Sequence, residues 1–71
     1  MNADDYDHRK LQKIRKEKFT QAEIAGRLEC TTETISRAER GISASFQLLK
    51  EITSHCGSSI KEIIRDNIGL N

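Results

Sequence analysis

The chain has 71 residues, with one Tyr and two Phe but no Trp or Pro, and a formal net charge of +1. This length allows one small hydrophobic core, so we interpret residues 1–71 as a single domain. Two cysteines are too few for a secreted disulfide scaffold and lack the CxxC spacing of a redox or zinc site, and no apolar run is long enough to span a membrane. The first seven residues are acidic where a signal peptide is basic and then apolar, so we expect a cytoplasmic location.

The positive charge is concentrated in one part of the sequence. Residues 8–40 contain nine Lys or Arg and five Asp or Glu, whereas residues 41–71 contain three of each and residues 1–7 contain three Asp. A local excess of basic residues is what a phosphate-bearing partner requires. A solvated, Lys-rich helix surface has the same composition, so charge alone does not decide between the two interpretations.

The first predicted helix begins after Asp7, a good N-cap residue, and ends near Glu17. Leu11 and Ile14 are three residues apart and form its apolar face, with basic residues around them. We expect residues 1–6 to form a flexible N-terminus.

Two further helices follow in close succession. Thr20 and Glu23 form a T-x-x-E capping box, which predicts the start of the second helix. The third helix is predicted from Thr31, another N-cap candidate, to about Arg40, because Gly41 is a strong C-terminal stop.

The last third of the chain predicts two more helices. Ser45 is a cap candidate for a fourth helix, and Gly57 ends it. Its apolar repeat consists of Phe46, Leu49, Ile52 and Cys56. Ser58 or Ser59 caps a fifth helix, whose apolar stripe consists of Ile60, Ile63, Ile64 and Ile68. Short helices with short connections predict an all-α fold, a compact five-helix bundle.

The connection between the second and third helices is unusually short, because only Leu28, Glu29 and Cys30 separate them. Such a corner makes the helices cross steeply and leaves the outer face of the third helix free. The residues on that face are short or planar hydrogen-bonding groups, namely Thr32, Glu33, Ser36, Arg37 and Arg40. A helix of this kind fits the DNA major groove, where Arg pairs with guanine, Glu accepts from cytosine and a Thr methyl contacts a thymine methyl.

Three stretches resemble the helix-turn-helix regulators of the Cro and phage-repressor (XRE-like) class. They are LQKIRKEKFTQAEIAGRL at 11–28, TTETISRAERG at 31–41 and SFQLLKEITSHCGSSIKEII at 45–64. The elements T-Q-A-E-I-A and T-I-S-R-x-E-R-G are the most specific, and the resemblance covers roughly residues 9 to 65. It implies a lambda-repressor-like DNA-binding domain with the helix-turn-helix at helices two and three, and operator binding as a homodimer.

The resemblance also implies roles for individual residues. The base-reading positions of the family fall on Thr32, Glu33, Ser36 and Arg37. Its phosphate-or-base position falls on Gln21, and its internal salt bridge between helices one and three falls on Arg15 and Glu39. Glu33 and Arg37 are four residues apart, so they could also simply pair with each other, or Glu33 could orient Arg37.

Further contacts are predicted from position and residue type. We expect phosphate contacts from Lys18, Thr31, Thr34, Arg40 and Ser43. Hydrophobic residues beyond or at the edge of the expected core predict dimer contacts, namely Ile64, Ile68 and Leu70, the last two within a C-terminal tail of residues 67–71. Cys30 and Cys56 are interpreted as small buried hydrophobic residues.

The chain departs from the family pattern at three places. Glu29 replaces the usual Gly of the turn, which either costs roughly 1 kcal/mol in a left-handed conformation or changes the turn. The connection before Thr20 is one residue shorter, which affects the register of Arg15. Ser58 replaces an apolar residue before the fifth helix.

The sequence leaves three classes of function open. The leading hypothesis is a sequence-specific, repressor-like transcriptional regulator that binds a two-fold symmetric site on double-stranded DNA as a homodimer. The alternative is a protein-interaction module or antitoxin with the same fold. An enzyme is the least favoured, because the sequence has no nucleophile–base pair and no phosphate-binding Gly loop. We expect no cofactor, no metal site, no membrane contact and no small-molecule ligand.

Overall fold

The structure, a computed structural model, describes residues 6–42 and 44–64. These residues form α1 (His8–Lys16), α2 (Gln21–Leu28), α3 (Thr32–Glu39) and α4 (Phe46–His55), followed by a single 3₁₀ turn at Ile60–Glu62. The only extended pairing within this part of the chain is an isolated antiparallel bridge between Tyr6 and Ile64. The prediction of a compact all-helical fold is confirmed.

The prediction of a fifth α-helix is not confirmed by the residues described. The 3₁₀ turn Ile60–Glu62 stands in its place, capped by Ser59, whose hydroxyl accepts from the Lys61 N–H at 3.2 Å. The backbone then leaves the helical path because the Ile63 carbonyl accepts a hydrogen bond from the Asp7 N–H at 2.7 Å. Within residues 60–64, the 3₁₀ turn and the pairing with the N-terminal segment thus stand where the Ile spacing had indicated an α-helix.

The predicted helix starts are confirmed at all four α-helices. The N-cap residues are Asp7, Thr20, Thr31 and Ser45, and each side chain accepts a hydrogen bond from the backbone N–H three residues later. The capping box of Thr20 and Glu23 is complete in both directions. These caps satisfy N–H groups that have no partner within the helix, so each helix begins where its cap residue stands.

The core lies where all four helices face each other. Its members share an exposure of 3% or less, and they are Tyr6, Leu11, Ile24, Ala25, Ile35, Ala38, Leu49, Ile52, Cys56 and Ile63. Tyr6 is 2% exposed, so it is part of the core and not of the flexible N-terminus predicted for residues 1–6. Phe46 was predicted on the apolar stripe of α4, but it is 43% exposed because it begins the helix at the edge of the bundle.

The packing of the helices determines which surface is free. α1 packs against α2, α3 and α4, and α4 packs against α1, α2 and the 3₁₀ turn. α3 packs against α1 and α2, which leaves the opposite side of α3 in solvent. Among residues 6–42 and 44–64, no helix is both long and apolar enough to cross a membrane.

Candidate nucleic-acid interface

The corner between α2 and α3 keeps its usual backbone although Glu29 carries a side chain. Glu29 adopts the left-handed conformation with φ 58° and ψ 42°. The Cys30 N–H then donates to the Ala25 carbonyl at 2.9 Å, which closes the end of α2. Of the two outcomes that the sequence allowed, the turn is therefore unchanged and bears the strain of a non-Gly residue, roughly 1 kcal/mol.

α3 has one buried and one exposed face. Ile35 and Ala38 are fully buried, and the Glu39 side chain also points inward, with the residue 5% exposed. On the other face Thr32, Glu33 and Arg37 are exposed, and Ser36 is half-buried. The polar side chains predicted to read DNA are therefore brought together on one solvent-facing surface, which we call the reading face.

Glu33 organises two arginines on or beside this face. The Arg37 Nε donates to Glu33 Oε2 at 3.1 Å, and Arg40 Nη2 lies 3.6 Å from the same oxygen. The side chains of Glu33, Arg37 and Arg40 keep exposed fractions of 63%, 56% and 54%. Since Arg37 uses Nε for this pair, its terminal Nη groups are left to donate elsewhere, and a pair of parallel N–H groups is what a guanine edge accepts.

A buried ion pair joins α3 to α1. Arg15 Nε donates to Glu39 Oε2 at 2.6 Å and Arg15 Nη2 donates to Oε1 at 2.8 Å. The hydrogen bond to Glu39 raises the pKa of Arg15, and burial opposes that shift. The Arg15–Glu39 pair forms although the connection between α1 and α2 is one residue shorter than in the family pattern. Arg15 Nη1 also donates to the Phe19 carbonyl at 3.1 Å, which ties the same side chain to that connection.

Gln21, the first residue of α2, is tied to the same carboxylate. Its Nε2 donates to Glu39 Oε1 at 3.1 Å, a contact that sequence reasoning missed because the partner lies 18 residues away. An amide nitrogen carries two N–H groups, so one remains for another acceptor. The side chain lines an open cleft together with Lys16, Lys18, Thr20 and Thr32.

This cleft adds one basic residue to the predicted set. Lys16 was not among the predicted phosphate contacts, although it lies two residues before Lys18 and both are exposed. The cleft borders the N-terminus of α2, where the helix dipole favours an anion. The sequence did contain a signal for Lys16, because it is one of the basic residues that directly precede the capping box.

The remaining predicted residues have varied environments. The Thr31 and Thr34 hydroxyls are 3.0 Å apart and bond to each other, and Thr34 is half-buried. Ile64 is half-buried against the core. Three predicted residues lie outside those that the structure describes, namely Ser43, Ile68 and Leu70.

The two cysteines are free thiols inside or beside the core. Cys56 is buried, as predicted, whereas Cys30 is half-buried in the turn. Burial raises the pKa of both thiols. Within the described residues there is no group of three or more His, Cys, Asp or Glu side chains placed to hold a metal ion.

A family model described as Helix-turn-helix matches residues 11–63, which is most of the chain and includes α2, the corner and α3. The chain belongs to the helix-turn-helix family of the XRE, or Cro and phage-repressor, type. No curated protein and no solved structure matches the chain. This helix-turn-helix family consists of DNA-binding regulatory domains that are not typically enzymes, and membership supports a DNA-binding transcription regulator.

Proposed function

We propose that the protein is a repressor-like transcriptional regulator that binds a two-fold symmetric operator as a homodimer and reads base pairs with α3. The observation that carries this proposal is the reading face of a helix whose other face is anchored by the core and by the Arg15–Glu39 pair. An anchored helix with exposed polar side chains holds those groups in the fixed geometry that base recognition needs.

Four side chains carry base recognition in this proposal, three by direct contact and Glu33 mainly by holding Arg37. Arg37 donates from its Nη groups to guanine while Glu33 holds its Nε. Thr32 is exposed and Ser36 half-buried near the same surface, where they contact neighbouring base edges. Glu33 acts mainly by orienting Arg37, because a carboxylate close to phosphates is repelled unless cations surround it.

Phosphate contacts flank the reading helix. Gln21 donates its second N–H to a phosphate, as do two exposed cations, Lys18 in the cleft that Thr32 also lines and Arg40 at the C-terminal end of α3. Thr31 and Thr34 contribute hydroxyls near the N-terminus of α3. Lys16 joins this set because it lines the same cleft as Gln21, and Ser43 belongs to it by its position after α3.

Dimerisation supplies the two-fold symmetry. Ile64 is the one predicted dimer residue that the structure describes, and it is half-buried at the end of the described chain. The proposal assigns contacts with a second copy to Ile64 and, by their apolar character in the sequence alone, to Ile68 and Leu70. Two subunits so joined place their reading helices about 34 Å apart, one helical turn of DNA.

Selection of binding sites from random-sequence duplex DNA tests the proposal. We expect an enriched half-site, repeated with two-fold symmetry at a spacing of about 10 base pairs. Because phosphates supply much of the affinity, binding should weaken steeply as salt rises. Failure to enrich any half-site would overturn the proposal and favour a protein-interaction module with this fold.

A further inference from the structure

The N-terminal segment before α1 forms a small structure with the end of the chain's described part. The Asp7 N–H donates to the Ile63 carbonyl at 2.7 Å, and Tyr6 pairs with Ile64 in the antiparallel bridge. We call residues 6–8 and 63–64 the clasp. The family match covers residues 11–63, so Tyr6, His8 and Ile64 lie outside it.

Two side chains of the clasp reach the end of α3. Tyr6 lies in the core with 2% exposure, and its Oη donates to the carbonyl of Ala38, 32 residues away. His8 Nδ1 lies 3.0 Å from the carbonyl oxygen of Glu39. Since a carbonyl oxygen only accepts hydrogen bonds, Nδ1 carries the proton in this contact.

These contacts complete the C-terminal cap of α3. The last four carbonyls of a helix have no partner within it. In α3 the first two of these are satisfied locally, because Arg40 donates to Ser36 at 3.1 Å and Ile42 donates to Arg37 at 3.0 Å. The Ala38 carbonyl accepts from the Gly41 N–H at 3.3 Å and from Tyr6 of the clasp, and the Glu39 carbonyl accepts from His8 of the clasp.

The approach of His8 depends on the glycine that follows α3. Gly41 has φ +73°, and a Cβ at this position would lie 2.8 Å from His8 Cδ2. The Tyr6 and His8 rings also meet edge to face, with centroids 6.5 Å apart. The imidazole is therefore confined between Gly41 and Tyr6, which fixes its hydrogen bond to Glu39.

We propose that Tyr6 and His8 are positioning residues for DNA recognition, which hold the backbone of α3 from its C-terminal end. This inference rests on the proposed function. α3 has eight residues, about two turns, so its orientation depends on few anchors. Arg37 stands in its last turn and Arg40 directly follows it, and a shift of about 1 Å there is enough to lose a base contact.

The main alternative is that the clasp only contributes to global stability. Tyr6→Phe removes the hydroxyl and keeps the ring. Thr53→Val is the matched control, because Thr53 is 1% exposed and its hydroxyl donates to the Leu49 carbonyl at 2.9 Å within α4. Both changes delete one buried hydroxyl that donates to a helix carbonyl, but the Tyr6 hydroxyl donates to α3 whereas the Thr53 hydroxyl donates within α4.

Each full-length variant is measured in two ways. The first is amide hydrogen exchange of residues 40–42 in the free protein, relative to the slowest-exchanging core amides. The second is the ratio of affinity for the selected duplex to affinity for random duplex. We expect Tyr6→Phe to accelerate exchange at residues 40–42 and to lower the affinity ratio about fivefold, while Thr53→Val changes neither relative value.

A second pair of variants tests His8 by rescue. His8→Leu removes the donor, whereas His8→Asn places an amide N–H near the position of Nδ1. We expect His8→Leu to behave like Tyr6→Phe, and His8→Asn to recover most of the affinity ratio.

The inference is overturned if Tyr6→Phe and His8→Leu match the Thr53→Val control in both measurements. If the wild-type protein selects no DNA site, the proposed function fails and the DNA role of the clasp fails with it. In that case the exchange measurement still decides separately whether the clasp holds the end of α3.

Discussion

At the scale of single residues, Glu29 shows how the corner tolerates an unfavourable conformation. Gly41 and Gly57 also have positive φ, +73° and +75°, but glycine adopts this region without a side-chain penalty. Glu29 is the non-glycine residue with positive φ within the described chain. The hydrogen bond from the Cys30 N–H to the Ala25 carbonyl keeps the turn closed. The left-handed conformation of Glu29 therefore lowers the stability of the fold but does not change the geometry of the turn.

Replacing this residue should therefore stabilise the fold. We expect Glu29→Gly to raise the free energy of unfolding by about 0.5–1 kcal/mol, the left-handed strain less the extra chain entropy of glycine. Urea denaturation followed by circular dichroism measures the change. The control is Glu17→Gly at the C-cap of α1, where φ is −74°, and this change should be neutral or destabilising. Equal effects of the two substitutions would contradict the strain assigned to Glu29.

At the scale of helices and turns, the sequence predicted the features whose interacting residues lie close together in the chain. The caps Thr20, Thr31 and Ser45 bond to backbone groups three residues away, so a short pattern contains both partners. The Glu33–Arg37 pair is equally local. The 3₁₀ turn could not be foreseen in this way, because what ends it is the hydrogen bond between Asp7 and Ile63 across the fold.

The distance along the chain between contacting residues also determines which parts of the candidate site could be predicted from the sequence. The reading face follows from helical spacing once α3 is placed. The Gln21–Glu39 contact and the burial of Tyr6 join residues far apart in the chain, and no periodicity contains them. The Arg15–Glu39 pair is also distant, and only the family resemblance indicated it.

The ion pair between α1 and α3 should be essential to their packing. Arg15→Met leaves the Glu39 carboxylate buried without its cation, and we expect a loss of about 3–5 kcal/mol, close to the whole stability of so small a domain. The double variant Arg15→Met with Glu39→Met should recover most of this loss, because no unpaired charge remains. Urea unfolding measures both.

An exposed pair provides the comparison for this prediction. Lys10 Nζ and Glu62 Oε1 are 3.4 Å apart, with side chains 46% and 53% exposed. Lys10→Met should cost less than about 1 kcal/mol. If Arg15→Met were as mild as Lys10→Met, the buried pair would not anchor α3.

At the scale of the whole molecule, one small core supports both the scaffold and the reading face. A domain of this size has a small free energy of unfolding, so ionisation of one group in the core affects the entire fold. Cys56 is such a group, because it lies in the core and burial raises the pKa of its thiol.

This shift predicts a loss of stability at alkaline pH. The folded chain keeps the Cys56 proton at a pH where the unfolded chain has released it, so the unfolded state binds fewer protons and the free energy of unfolding falls as pH rises. The fall should begin above about pH 8.5, the ordinary pKa of a cysteine thiol. Cys56→Ala should be less stable at neutral pH but should show a smaller decline between neutral and alkaline pH. Parallel declines in the two proteins would contradict this assignment.

The central claim is that the exposed face of α3 reads base pairs, and Arg37 tests it most directly. The measurement is the affinity of wild-type protein, Arg37→Ala and Lys50→Ala for the selected duplex and for duplexes changed at one base pair of each half-site. Lys50 is an exposed cation on α4, which packs against α1, α2 and the 3₁₀ turn. We expect Arg37→Ala to lose about 1–3 kcal/mol of affinity and its discrimination at one base pair, while Lys50→Ala keeps both. If Arg37→Ala retained wild-type affinity and discrimination at every position, the assignment of α3 as the reading helix would be contradicted.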